Sequence, residues 1–195
     1  MGLAGTLLLD GSYLRLASFP NQYLSYYFKK TMTLYFFDDD SQNNFELGSH
    51  FFFGDELNKN YEKAFHHLKL AADGGHSQAQ NDLGMMYIEG LGTSPDSVKA
   101  FEYFLQSAKN ENRNGKYNLS VMYRGGMGIE QNEFLELWWL GLAAEEGYVI
   151  AQYMLGSYYE QGEKKPQNNI KAVYWYEKAA AEGNEPAMER IAALR

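Results

Sequence analysis

Large apolar residues followed at once by small ones return along the chain at an interval of 36 residues: Leu47-Gly48, Leu83-Gly84, Leu119-Ser120, Leu155-Gly156 and Ile191-Ala192. Four positions after the large residue stands a ring, in Phe51, Tyr87, Tyr123 and Tyr159. A step of four keeps two side chains on one helix face, and the small residue beside them lets a neighbouring helix approach closely. The pattern predicts a helix in each interval, closed by Gly54, Gly90, Gly126 or Gly162, where glycine enters left-handed backbone without steric cost. A short loop then ends at Asn60, Asp96, Asn132 or Asn168. Each is a type whose side chain accepts a hydrogen bond from the free amides opening the next helix.

The second helix of each interval carries one apolar stripe at steps of four. It runs through Ala64, Ala100 and Ala172, then Leu68, Phe104, Leu140 and Tyr176, then Ala72, Ala108, Ala144 and Ala180. Gly75, Gly147 and Gly183 close it. Each unit is therefore expected to be a helix, a turn and an antiparallel helix, with units at about 43–75, 76–111, 112–147 and 148–183 and a closing helix at 184–195. The third unit departs most: Ser120 stands for the column glycine, Glu136 for the column alanine and Glu111 for the helix-ending glycine.

The stretches A-Q-N-D-L-G-M-M-Y-I-E-G-L-G from Ala79 and A-V-Y-W-Y-E-K-A-A-A-E-G from Ala172 resemble the Sel-one-like repeat, a relative of the tetratricopeptide repeat, over about residues 43–195. The resemblance implies an all-α fold, a right-handed α-solenoid of antiparallel helix pairs, and the work of a scaffold or adaptor that holds another protein. It also implies that first helices line a concave groove. By register, three columns face that groove: Phe45, Asn81, Tyr117 and Tyr153; Ser49, Met85, Val121 and Ser157; and Phe52, Ile88, Arg124 and Glu160. Their chemistry varies from copy to copy while the core columns do not, and tyrosine, phenylalanine, methionine and arginine are types enriched at interface cores. The competing reading of such rings is core packing. Trp138, Trp139 and Trp175 lie on second helices and are expected to pack between units. Some short proteins of this kind are immunity proteins that block a bacterial toxin, and an acidic surface suits occlusion of a basic one; that is the alternative within binding.

Residues 1–42 do not follow the register. Tyr13, Phe19, Tyr23, Tyr26, Tyr27, Phe28, Tyr35, Phe36 and Phe37 make this segment rich in rings. A degenerate unit or helical cap over the end of the stack is favoured over a partner-binding arm, because an uncapped end leaves an apolar face in water. Asp38-Asp39-Asp40 then marks a solvated boundary.

Composition narrows the function class. The chain has 195 residues, 45% of them hydrophobic, and a net charge of -8 with no basic cluster. A phosphate-backbone partner needs Lys and Arg gathered on one face, so no nucleic acid is expected. Apolar runs such as Leu7-Leu8-Leu9 and Phe51-Phe52-Phe53 fall far short of a membrane span, so no stable membrane insertion is expected. The start lacks the basic region and sustained apolar core of a secretory signal, and the expected location is the cytoplasm, as a monomer or weak oligomer. There is no cysteine, which removes thiolate metal sites and cysteine nucleophiles. His50, His66, His67 and His76 each take a place in a repeat column. Adjacent carboxylates such as Glu145-Glu146 and Asp55-Glu56 read as surface, since paired acid and base groups must meet across a cleft. Gly90-Leu91-Gly92 and Gly126-Met127-Gly128 read as turns between helices, and no Walker loop or nucleophile elbow occurs. No catalytic residue, cofactor or metal is expected. A hydrolase or metal-dependent enzyme built on the histidines is the alternative from another class.

Overall fold

The computed structural model describes residues 6–9, 12–15, 40–54 and 59–195. The chain divides into two compact units, Met1–Asp40 and Ser41–Arg195. In the first, β1 (Thr6–Leu9) pairs antiparallel with β2 (Ser12–Arg15), Leu7 opposite Leu14 and Leu8 opposite Tyr13. This hairpin was not anticipated from the helical periodicity, although the Asp-Gly pair between the strands is a strong hairpin signal. The rings from Phe19 to Phe37, together with Asp38 and Asp39, lie outside the described residues, as do Asp55 and Glu56.

The second unit is an all-α solenoid. Its helices are α1 (40–53), α2 (Tyr61–Asp73), α3 (Ser77–Glu89), α4 (Ser97–Lys109), α5 (Arg113–Gly125), α6 (Glu133–Glu145), α7 (Val149–Gln161), α8 (Asn169–Ala181) and α9 (Glu185–Leu194). The expected caps are in place. Asn60, Asp96, Asn132 and Asn168 each accept, through the side chain, from the amide three residues on, at Lys63, Lys99, Leu135 and Lys171. At the far ends of α3, α5 and α7, Gly90, Gly126 and Gly162 adopt left-handed backbone, and their amides donate to the carbonyls of Met86, Met122 and Tyr158.

Packing follows the columns. Leu83, Leu119 and Leu155 are buried, as are Leu68, Phe104, Leu140 and Tyr176 on the facing second helices. The small column residue is what permits the contact: a Cβ at Gly84 would stand 2.6 Å from the Phe104 ring, and one at Gly156 would stand 2.6 Å from Tyr176. The first member of the leucine column behaves differently, for Leu47 is 46% exposed. Trp139 and Trp175 pack against the core as expected. Trp138 does not; it is exposed on the surface of α6, because its position one residue from Trp139 turns it about 100° round the helix.

Departures from the repeat, in the third unit and its two neighbours, occur as matched groups. Glu136, standing where the other units have alanine, is 1% exposed. It accepts from the Lys164 amine and from the Tyr158 hydroxyl, the latter at 3.0 Å. Lys164 itself occupies the column of Gly92 and Gly128, so a carboxylate and an amine have replaced two small residues together. Likewise Gln80 and Gln152 donate at 3.0 Å to the Ala72 and Ala144 carbonyls of the preceding second helix. In the same column Lys116 is buried and reaches Glu111 and Glu146 instead. Burial alone would lower the Lys116 pKa, but its bonds to the two carboxylates overcome this and leave it raised. Glu111 has a φ of 58°, a conformation that costs a side-chain-bearing residue about 1–2 kcal/mol and that the Lys116 pair helps to offset. Finally, Ser107 stands where its column has alanine, donating at 2.8 Å to the Ser77 carbonyl, and Gly115 opposite it has lost the methyl that would crowd the hydroxyl.

Candidate functional site

The three columns assigned to the groove meet different fates. In the first, Asn81 is buried and accepts at 2.8 Å from Asn118 on α5. Phe45 stacks on the His76 ring at 4.1 Å, Tyr117 packs on Tyr148 at 4.7 Å and Tyr153 on Tyr176 at 5.5 Å. This column ties neighbouring helices together and keeps only part of its surface. In the second, Met85 is exposed and Ser49, Val121 and Ser157 are half-buried. In the third, Phe52 and Ile88 are half-buried and Arg124 is exposed beside the Tyr158 hydroxyl. Glu160 accepts from Tyr176 at 2.8 Å and pairs with Arg190 of α9, locking the end of the stack.

Three of these twelve residues line one cleft. Ser49, Phe52 and Met85 meet Phe53, Leu68, Asp82, Glu89 and Leu91 around a cavity of about 210 Å³ between α1 and α3. The wall is mostly apolar, and Phe53 stands well out of the surface. Its polar part consists of a serine and two carboxylates, with no cation among the described residues lining it. Asp82, Glu89 and Phe53 were missed from sequence. The available signal was register: Asp82 lies one residue beyond Asn81, and Phe53 and Glu89 share a column one residue beyond Phe52 and Ile88.

Asp82 is the chemically distinctive group. Its Oδ1 accepts from Gln78 at 2.7 Å and from Asn81 at 3.1 Å. Gln78 in turn accepts from Asn112 at 3.2 Å and Asn114 at 3.3 Å. A carboxamide network therefore spans α3 and α5 and ends on this carboxylate. Burial pushes the Asp82 pKa up, and the bonds from Asn81 and Gln78 with the nearby His76 only partly restore it. A native pKa above the unfolded value means that the carboxyl's contribution to stability is greatest in acid, when it is protonated. That contribution is lost as pH rises from about 4, the unfolded carboxylate value, through the raised native value. Asp82→Asn is accordingly expected to raise the melting temperature at pH 7 and to leave it nearly unchanged below pH 4. Equal shifts at both pH values in thermal scans would contradict this electrostatic account.

The histidines do not converge. His67 lies 3.0 Å from Asn44 and stacks on Phe51, and burial lowers its pKa, aided by His66 and Lys63. His76 caps α3 by accepting from the Ala79 amide at 3.1 Å, whereas His50 and His66 are exposed. Among the described residues no group of three or more His, Cys, Asp or Glu is placed to hold a metal ion. Among the same residues no helix is long and apolar enough to cross a membrane.

Comparison with known proteins agrees with this geometry. The Sel1 repeat pattern matches residues 44–76, 77–112, 114–148 and 149–184. A Sel1 repeat protein from Oxalobacter formigenes superposes with a TM-score of 0.75 at 30% identity, over 77% of this chain and 44% of that one. A protective antigen present in uropathogenic Escherichia coli strains superposes with a TM-score of 0.69 at 31% identity, over 75% of this chain and 32% of that one. The chain thus spans less than half the length of either structure. Among curated proteins, none matches it.

Proposed function

The chain belongs to the Sel1 repeat family, and from that premise we propose that it is a non-catalytic scaffold that holds a protein partner along its first helices. The cleft of Ser49, Phe52, Phe53, Met85, Asp82 and Glu89 receives the anchoring side chains. One observation carries this reading: an open apolar cavity whose charged lining, among the described residues, is purely acidic. An apolar side chain of the partner gains by leaving water against Phe52, Phe53, Met85 and Leu91. A Lys or Arg nearby meets Asp82 and Glu89, and by pairing with Asp82 it relieves a carboxylate that burial penalises. The acidic balance of the chain, net -8, steers basic segments toward it, with an on-rate that falls as salt rises.

Selection of random peptides displayed on phage against the full chain tests the reading. The expected winners carry Lys or Arg within a few residues of Leu, Phe or Met. Their affinity is expected to drop about tenfold or more, 1.4 kcal/mol, on Phe52→Ala or on Asp82→Asn with Glu89→Gln. Winners rich in Asp and Glu, or winners indifferent to these substitutions, would remove the cleft as the binding site.

A further inference from the structure

The outer side of the second helices carries a stripe that the groove reading does not use. Val98, Phe134 and Ile170 occupy one column on α4, α6 and α8, and Trp138 and Tyr174 sit one turn further along α6 and α8. All five are more than half exposed, from 52% at Tyr174 to 84% at Ile170. Phe134 and Trp138 stack on each other at 6.4 Å, presenting a flat aromatic surface at the middle of the three helices. We infer that this stripe is the contact of a homodimer, two copies joined about a twofold axis running along α6.

Five such side chains expose on the order of 600 Å², the upper end of what a monomer leaves bare. Each partner of a stable standard interface contributes about 800 Å², and the polar rim around the stripe supplies the difference. The charges along the ridges also fit. The outward ridge of α4 reads Val98, Glu102 and Gln106, and that of α8 reads Ile170, Tyr174 and Lys178, while the ridge of α6 between them, Phe134, Trp138 and Leu142, is uncharged. A twofold axis along α6 lays α4 of one copy on α8 of the other with the helix directions matched. Val98 then meets Ile170, Phe134 and Trp138 meet their own counterparts, and Glu102 falls within one helical turn of Lys178. The same pairs form twice, as an isologous contact requires. A second copy thus matches the stripe in both charge and apolar pattern, and the first-helix cleft stays open in each copy.

Sedimentation of the full chain across a dilution series tests the assignment. The expected result is a species of twice 22.3 kDa at about 50 µM that dissociates on dilution. Trp138→Glu and, separately, Ile170→Glu are expected to leave only monomer with an unchanged far-UV circular dichroism spectrum. Glu102→Lys and Lys178→Glu should each weaken association about tenfold, and together restore it. A wild-type chain that is monomeric throughout the series overturns the proposal, as does a dimer that survives both glutamate substitutions or a charge swap that fails to restore association. Monomer that co-sediments with phosphatidylcholine vesicles through Trp138 would assign the stripe to a lipid surface instead.

Discussion

Lys164→Ala is expected to cost about 3–5 kcal/mol of folding stability, because it strands the Glu136 carboxylate without its cation at a position 1% exposed. The reverse substitution is expected to be much milder. Glu136→Ala restores the residue that the other units carry at this position, the freed Lys164 amine is partly exposed and can turn to water, and Arg124 still lies beside the Tyr158 hydroxyl. Its cost is the loss of a hydrogen bond or so, about 1 kcal/mol. The double variant Glu136→Ala with Lys164→Ala is expected to lie near the wild type, since an ion pair taken out of water recovers little more than its desolvation. Urea unfolding followed by circular dichroism reads all four corners of this cycle. Equal losses in the two single variants, or a double variant as unstable as Lys164→Ala, would show that the pair does not act as described.

The second large effect belongs to the turns between first and second helices. At Gly92 the backbone has a φ of +68° and an added Cβ would stand 2.1 Å from the Tyr61 carbonyl oxygen; at Gly128 the values are +70° and 2.2 Å from the Ser97 carbonyl. Tyr61 and Ser97 open the second helix of the preceding unit, so each turn rests on its neighbour's backbone and neither can yield cheaply. Gly92→Ala and Gly128→Ala combine left-handed strain of about 1–2 kcal/mol with overpacking of about 1–3 kcal/mol. A total near 3 kcal/mol lowers the melting temperature by about 6–12 °C in a chain of this size. Gly75→Ala separates the two causes. Its φ is +91° with nothing within 4 Å of the added Cβ, so strain alone remains and a shift about half as large is expected. An equal shift at Gly75 and Gly92 would remove the clash from the account.

Register places residues on faces, and part of the cleft was legible that way: Ser49, Phe52 and Met85, three of the twelve groove positions, line it together. The same logic could not tell that Asn81 is consumed by its bond to Asn118, or Glu160 by Tyr176 and Arg190, since those partners lie 37, 16 and 30 residues away. Nor could it tell Trp138 from Trp139. Between Phe134 and Leu142, α6 is apolar on nearly every side, and an apolar face that meets water has the same composition as one that meets a neighbour.

Unit length, the helix pairs, the caps at Asn60, Asp96, Asn132 and Asn168, and the glycine turns can all be read from residue order. These are decided within a few residues, by a side chain reaching the nearest free amides or by a backbone angle only glycine takes freely, and periodicity reports them directly. The tertiary structure alone decided which departures from the repeat belong together. Glu136 and Lys164, Lys116 and Glu146, and Ser107 and Gly115 are unrelated positions along the chain, and only packing turns a misplaced carboxylate, amine or hydroxyl into a satisfied one. It also decided which apolar residues stay in water, at the cleft around Phe53 and on the outer ridge around Trp138, because exposure depends on what lies opposite a side chain and not on its own chemistry.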